Sequence, residues 1–153
     1  MDLSSKKTAI IVITTALWLI ITFLGLNNVY LVSMYLGVVL MLLYMMLGVA
    51  KQGKISKKLL FISFIPWAII WAVSFYLADY YAALFAGAMP SFTVLGFHPS
   101  FAATVVGYWF GGMLTLTIMY YMFKDEWLSE NDWNSFLEKI EEIKESEKGG
   151  AKL

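Results

Sequence analysis

Four stretches of this chain run for about 20 residues each without a charged side chain or a histidine, and that decides the solvent in which it folds. They extend from about Thr8 to Leu26, from Val29 to Ala50, from Leu59 to Ala78 and from Phe101 to Phe123. A hydrocarbon core about 30 Å thick is crossed by roughly 20 residues of helix, so each run is long enough to span it. In lipid every backbone N–H and C=O must pair within the segment, which predicts helices. The two-residue alternation of a barrel strand is absent.

The expected fold is therefore an all-α membrane protein with four transmembrane helices in two in-out-in hairpins. Residues 1–124 form the membrane domain, with spans at about 8–26, 29–50, 59–78 and 101–123 and an outer aromatic segment at 79–100. Residues 125–153 form a cytoplasmic tail with an amphipathic helix over about 130–147. Composition agrees: 60% of the 153 residues are apolar and only 14% charged, where a soluble domain carries about 25% charged residues. Could the first run be a cleaved leader? Lys6 and Lys7 precede it, but it exceeds the usual h-region of about 7–15 residues and no small-x-small site closes it. It reads as a retained span.

Orientation follows from lysine placement. Lys6 and Lys7, then Lys51, Lys54, Lys57 and Lys58, then Lys124 and the tail lysines all fall on one side of a four-pass arrangement. Short lysine-rich segments stay in the cytoplasm. The expectation is a multi-pass protein of the cell (plasma) membrane with both termini cytoplasmic and lipid around the spans.

The connection at Asn27-Asn28 reads as a tight outer turn. Residues 79–100 are apolar and aromatic but broken by Gly87, Pro90, Gly96 and Pro99. That pattern suits an interfacial segment with rings at headgroup level, or a loop capping a partner protein. Asp79 and His98 stand at its two ends as a candidate outer polar pair, because an imidazole beside a carboxylate can share a proton.

The last span carries small residues at i, i+4 spacing, namely Ala103, Gly107, Gly111 and Thr115. Such a stripe lets a second helix backbone approach closely, from this chain or another. In the tail, Trp133, Phe136, Leu137, Ile140 and Ile143 recur at helical spacing as one apolar stripe. Ser129 with Asp132 resembles a capping box, and Gly149-Gly150 reads as a stop. The stripe is a candidate docking face, either for another protein or for the 51–58 loop.

Several chemistries are excluded. With no cysteine there is no disulfide, thiolate nucleophile or Cys-ligated metal. One histidine cannot hold a haem by two axial imidazoles. No phosphate loop, nucleophile elbow or zinc spacing occurs, and there is no basic patch for nucleic acid. The uncharged spans argue against independent proton-coupled transport, which keeps an intramembrane carboxylate or histidine. The expectation is no enzyme, no cofactor, no metal and no nucleic acid.

Trp71, then Phe92, Thr93, Gly96, Phe97, Pro99 and Phe101, then Lys124-Asp125, Leu128, Glu130 and Asp132 form a recognisable succession. From about Leu59 to Asp132 the chain resembles the small membrane proteins that accompany sodium:solute symporters, especially the pantothenate-symporter-associated type. His98 stands between Phe97 and Pro99, where that group runs Phe-Pro directly. Residues 1–58 have no counterpart in its two-span members. The resemblance implies an auxiliary, non-catalytic subunit beside a larger integral membrane protein. An accessory subunit of a respiratory or other membrane enzyme complex fits the same features. A small homo-oligomeric transporter or channel is a third class, disfavoured by the uncharged spans.

Overall fold

A computed structural model describes residues 2–51 and 53–150, with the side chains of 147–150 not covered; residues 1 and 52 and the tail residues 151–153 lie outside the described residues. The fold is helical. Helix α1 is Lys7–Leu26, preceded by a 3₁₀ turn at Ser4–Lys6, and α2 is Tyr30–Gly48. Helix α3 is Leu59–Leu84 and α4 is Pro99–Met122. A short helix α5, Lys124–Trp127, leads to α6, Glu130–Gly150. Four of these, α1 to α4, are long and apolar enough to cross a membrane.

The boundaries that move do so for local reasons. Helix α3 continues through the first residues of the aromatic segment, to Leu84 instead of Ala78. Between Ala78 and Gly87 there is no glycine or proline to interrupt it, and a helix needs a reason to stop. Helix α4 begins at Pro99, two residues earlier than the apolar run, because proline at the first helical position has no N–H to leave unpaired. Helix α6 runs on through Gly149 and Gly150 instead of ending near residue 147. Glycine costs a helix about 1 kcal/mol but leaves its hydrogen bonds intact.

The Asn27-Asn28 turn is a Schellman closure. Asn28 takes the left-handed conformation at φ 63°. Its N–H donates to the Gly25 carbonyl at 3.2 Å, and the Val29 N–H reaches back to the Leu24 carbonyl at 2.9 Å. Asparagine tolerates that conformation better than most residues, so the sequence ends α1 and starts α2 within three residues.

Helices α1 and α2 are pinned by side-chain donors. Ser33 Oγ donates to the Ile21 carbonyl at 2.8 Å and Trp18 Nε1 to the Tyr44 hydroxyl at 3.2 Å. The α3–α4 pair is held the same way. Ser63 Oγ donates to the Thr115 carbonyl at 2.6 Å, and Trp71 Nε1 to the Tyr108 carbonyl at 3.1 Å. Helix α4 is π-helical over Thr104–Gly111 and Met113–Ile118, and α3 over Leu59–Phe64. In a π turn each N–H reaches five residues back, which widens the helix. The carbonyls of Tyr108 and Thr115 that serve α3 both lie in these widened stretches.

The buried core sits at the lysine-bearing end. Leu3, Ile10, Met46, Val49, Ile55, Leu59, Leu60 and Phe64 form one cluster. It joins the N-terminus, the end of α2, the connecting loop and the start of α3, while Tyr120 and Trp127 pack against it from the other side. The Leu3 N–H donates to the Gly53 carbonyl at 2.6 Å. Gly53 holds φ 81°, and a Cβ there would run into Ser4. That close approach draws the N-terminus over the loop.

Candidate functional site

Three regions draw the sequence-derived candidates together or keep them apart. The first is the seam between α3 and α4. A Cβ on Gly107 would collide with the Ser74 hydroxyl, and one on Gly111 would lie 2.5 Å from Ile70 Cγ2. Both glycines thus face α3 of the same chain, and their hydrogens set how closely the two backbones approach. Thr115 turns its Oγ1 back to the Gly111 carbonyl at 2.7 Å while its own carbonyl receives Ser63. Ala103 lines a shallow apolar groove with Leu77 and Val106. The tryptophan and tyrosine rings above the glycines lie close, Trp71 to Tyr108 at 4.0 Å between centroids and Phe75 to Tyr108 at 5.8 Å.

The second region is the end away from the lysines. Phe85 and Phe92 lie 5.9 Å apart, and Phe92 meets Tyr81 at 5.7 Å, so the non-helical segment folds over the ends of α3 and α4 as an aromatic cap. Val94 and Phe97 exchange backbone hydrogen bonds of 3.1 and 3.0 Å around Leu95-Gly96. Both central residues have positive φ, 52° and 80°. The geometry is that of a two-residue hairpin turn, in which leucine replaces the usual Asn or Gly.

Asp79 and His98 are not joined by a hydrogen bond or ion pair among the described residues. Asp79 lies exposed on α3, more than a turn before its end. His98 is the N-cap of α4: its Nδ1 accepts the Ser100 N–H at 3.2 Å, and its ring meets Phe85 edge-on at 5.8 Å. The imidazole is committed to a helix start. The signal for that role was a polar side chain directly before proline, where a helix begins.

The third region is the tail. Ser129 and Asp132 form the reciprocal cap: the Ser129 N–H donates to Asp132 Oδ2 at 2.7 Å, and the Asp132 N–H to Ser129 Oγ at 3.4 Å. The same carboxylate takes Lys51 Nζ at 2.5 Å. Lys51 also reaches the Asp125 carbonyl at 3.3 Å, and Lys58 pairs with Glu126 at 3.4 Å. Hydrogen bonding from Lys51 first and Ser129 second holds the Asp132 carboxyl well below the usual carboxylate range. A hydrogen bond from Ser56, then one from Lys58, lowers Glu126. Asp2 is lowered chiefly by the Ser4 N–H.

The lysine loop thus receives α5 and the first turn of α6, while the apolar stripe stays outside. Trp133, Phe136, Leu137 and Ile143 are exposed and Ile140 is half-buried. Trp133 and Phe136 lie 5.7 Å apart. Sequence reasoning treated capping and docking on the loop as separate possibilities and missed that Asp132 serves both.

Among the described residues no group of three or more carboxylate or imidazole side chains could hold a metal ion. Among the described residues the buried polar groups are the hydroxyls of Thr14, Ser33, Ser63 and Ser74, each donating to a helix carbonyl, and the Trp67 indole, whose Nε1–H is buried without a hydrogen-bond partner. Ser33 and Ser63 thus lock neighbouring helices together while Thr14 and Ser74 bond within their own, and hydroxyls and an indole N–H are not groups that titrate near neutrality. No protein-family model, no curated protein and no solved structure matches this chain.

Proposed function

We propose that this chain is a non-catalytic auxiliary subunit of a membrane transporter, a sodium:solute symporter on the resemblance of its second half. In this reading the four spans form two in-out-in hairpins in the plasma membrane, with the lysine-bearing end and the amphipathic tail in the cytoplasm. One observation carries it. The buried hydroxyls of Thr14, Ser33, Ser63 and Ser74 are all committed to helix carbonyls. Ser33 and Ser63 thereby tie α2 to α1 and α3 to α4, while Thr14 and Ser74 bond within their own helices. The unpartnered Trp67 indole N–H, a donor only, can neither coordinate a cation nor relay a proton.

The surface supports the same reading. Trp109 is 69% exposed on α4, opposite the seam with α3, and Tyr108, Phe110 and Met113 border an open apolar hollow beside it. Large aromatic side chains offer a large contact area, which suits them to an interface with a neighbouring protein.

Mild-detergent purification of a tagged copy tests the proposal. The expected result is stoichiometric recovery of one larger multi-pass protein, whose solute uptake falls when this chain is removed. Recovery of the chain alone, with solute uptake by liposomes containing nothing else, would show a transporter in its own right. Recovery with the subunits of a membrane oxidoreductase would move it to that class of complex.

A further inference from the structure

We infer that α6 docks into an apolar groove rimmed by lysine or arginine on the cytoplasmic face of the partner subunit. The inference rests on the auxiliary-subunit reading and adds the chemistry by which the partner is held.

Trp133, Phe136 and Ile143 are each about half exposed, at 49, 51 and 54%. These large side chains stand together on a helix outside the membrane-spanning segments. Leu137 and Ile140 continue the same stripe. A patch of this kind on the water side marks an interface more often than a free surface. Its position is defined by the chain itself, because Asp132 ties the first turn to Lys51. A preset helix loses less freedom on docking than a free tail.

Charge selects among the possible occupants. Residues 130–150 hold seven carboxylates, Glu130, Asp132, Glu138, Glu141, Glu142, Glu145 and Glu147, against Lys139, Lys144 and Lys148, a net charge of −4. A second copy would set two such faces against each other. The anionic cytoplasmic leaflet attracts basic helices and repels this one. An apolar groove with basic rims satisfies both stripe and flanks, with the stripe giving affinity and the rim charges register. Trp133 is the expected anchor, since tryptophan dominates such contacts.

The test uses the full-length chain in its native membrane, with a photoreactive phenylalanine analogue in place of Phe136 or of Trp133. The expected result is a crosslink to a cytoplasmic segment of the co-purifying membrane protein that carries lysine or arginine beside apolar residues. Joint reversal, Glu138→Lys with Glu141→Lys and Glu145→Lys, is expected to cut the crosslink about tenfold while the two proteins still co-purify through their spans. A crosslink to a second copy, to lipid or to a segment without basic residues would overturn the inference, as would an unchanged yield after charge reversal. If the unaltered chain brings down no larger membrane protein, the auxiliary-subunit reading fails first and takes this inference with it. If it does and the crosslink maps elsewhere, only the docking inference falls.

Discussion

Lys51 and Asp132, 81 positions apart, meet at 2.5 Å through the same carboxylate that accepts the Ser129 N–H at 2.7 Å. One side chain therefore starts α6 and ties it to the loop after α2. Lys51→Ala should remove the tie and keep the cap, whereas Asp132→Ala should remove both. Hydrogen exchange over residues 129–136 measures the difference. Helicity should persist in the first variant, with faster exchange at the base, and fall in the second. Exchange at the base left unchanged by Lys51→Ala would mean that the ion pair carries no positional role, and equal exchange in the two variants that the cap adds nothing to the tie.

The pH dependence of that tie has a definite sign. Asp132 has a folded pKa depressed by Lys51 and then Ser129. Its contribution is present above the unfolded carboxylate value of about 3.9 and is lost as pH falls toward the folded one. Anchoring of α6 should be flat from alkaline pH down to about 5 and weaken only below about 4. Salt should loosen it at any pH, because the pair is partly exposed, at 33 and 44%. Loosening near pH 6.5 would point to a different titrating group.

Gly107 and Ser74 form a pair in which one residue's absence of a side chain accommodates the other's hydroxyl. Gly107→Ala should destabilise the α3–α4 seam by about 1–3 kcal/mol through overpacking. Adding Ser74→Gly should recover part of that loss, with a coupling on the order of 1 kcal/mol. Thermal unfolding in one fixed detergent measures both. Strictly additive losses would mean that the two helices have room to part.

Trp71 donates to the Tyr108 carbonyl at 3.1 Å and its ring lies against the Tyr108 ring. Trp71→Phe keeps much of the ring contact and removes the donor. The expected cost is about 0.6–1.7 kcal/mol, the range of side-chain hydrogen bonds between membrane helices. Trp71→Leu should cost more, since the ring contact goes too. Identical melting points for the two variants would assign the whole effect to the hydrogen bond.

Orientation is tested by labelling. Cysteines in place of Asn27 and Met89 should react with an impermeant reagent from outside the cell, and one in place of Lys57 should not. Met89 is 93% exposed and Lys57 is exposed, so accessibility does not limit the reaction. Gly53 is a poor position for this purpose because its φ is 81°. Reversed labelling would overturn the cytoplasmic placement of the lysines.

Helix existence was legible in the sequence because lipid leaves an uncharged run of 20 residues no other backbone solution. The Asn27-Asn28 turn was legible too, since few residues besides glycine accept positive φ. The ends of α3 and α4 were less so. Hydropathy marks where apolar residues stop, while Leu84 and Pro99 mark where the backbone ladder stops and starts. The cap at Ser129 could be read from spacing alone, because its partners lie three residues apart.

What tertiary structure decided were the pairings between distant positions. A small-residue stripe in a span says that something approaches closely, and only packing shows that Gly107 meets Ser74 and Gly111 meets Ile70. The 12 residues from Ala86 to Phe97 lie between the ends that hold Asp79 and His98, and their fold left the two apart, with His98 used as a cap. Composition likewise shows lysines and carboxylates without assigning partners, because ion pairs act through space and not along the chain. The fold assigned Asp132 to Lys51 and Glu126 to Lys58. With the base of α6 held there, its apolar stripe was left facing outward.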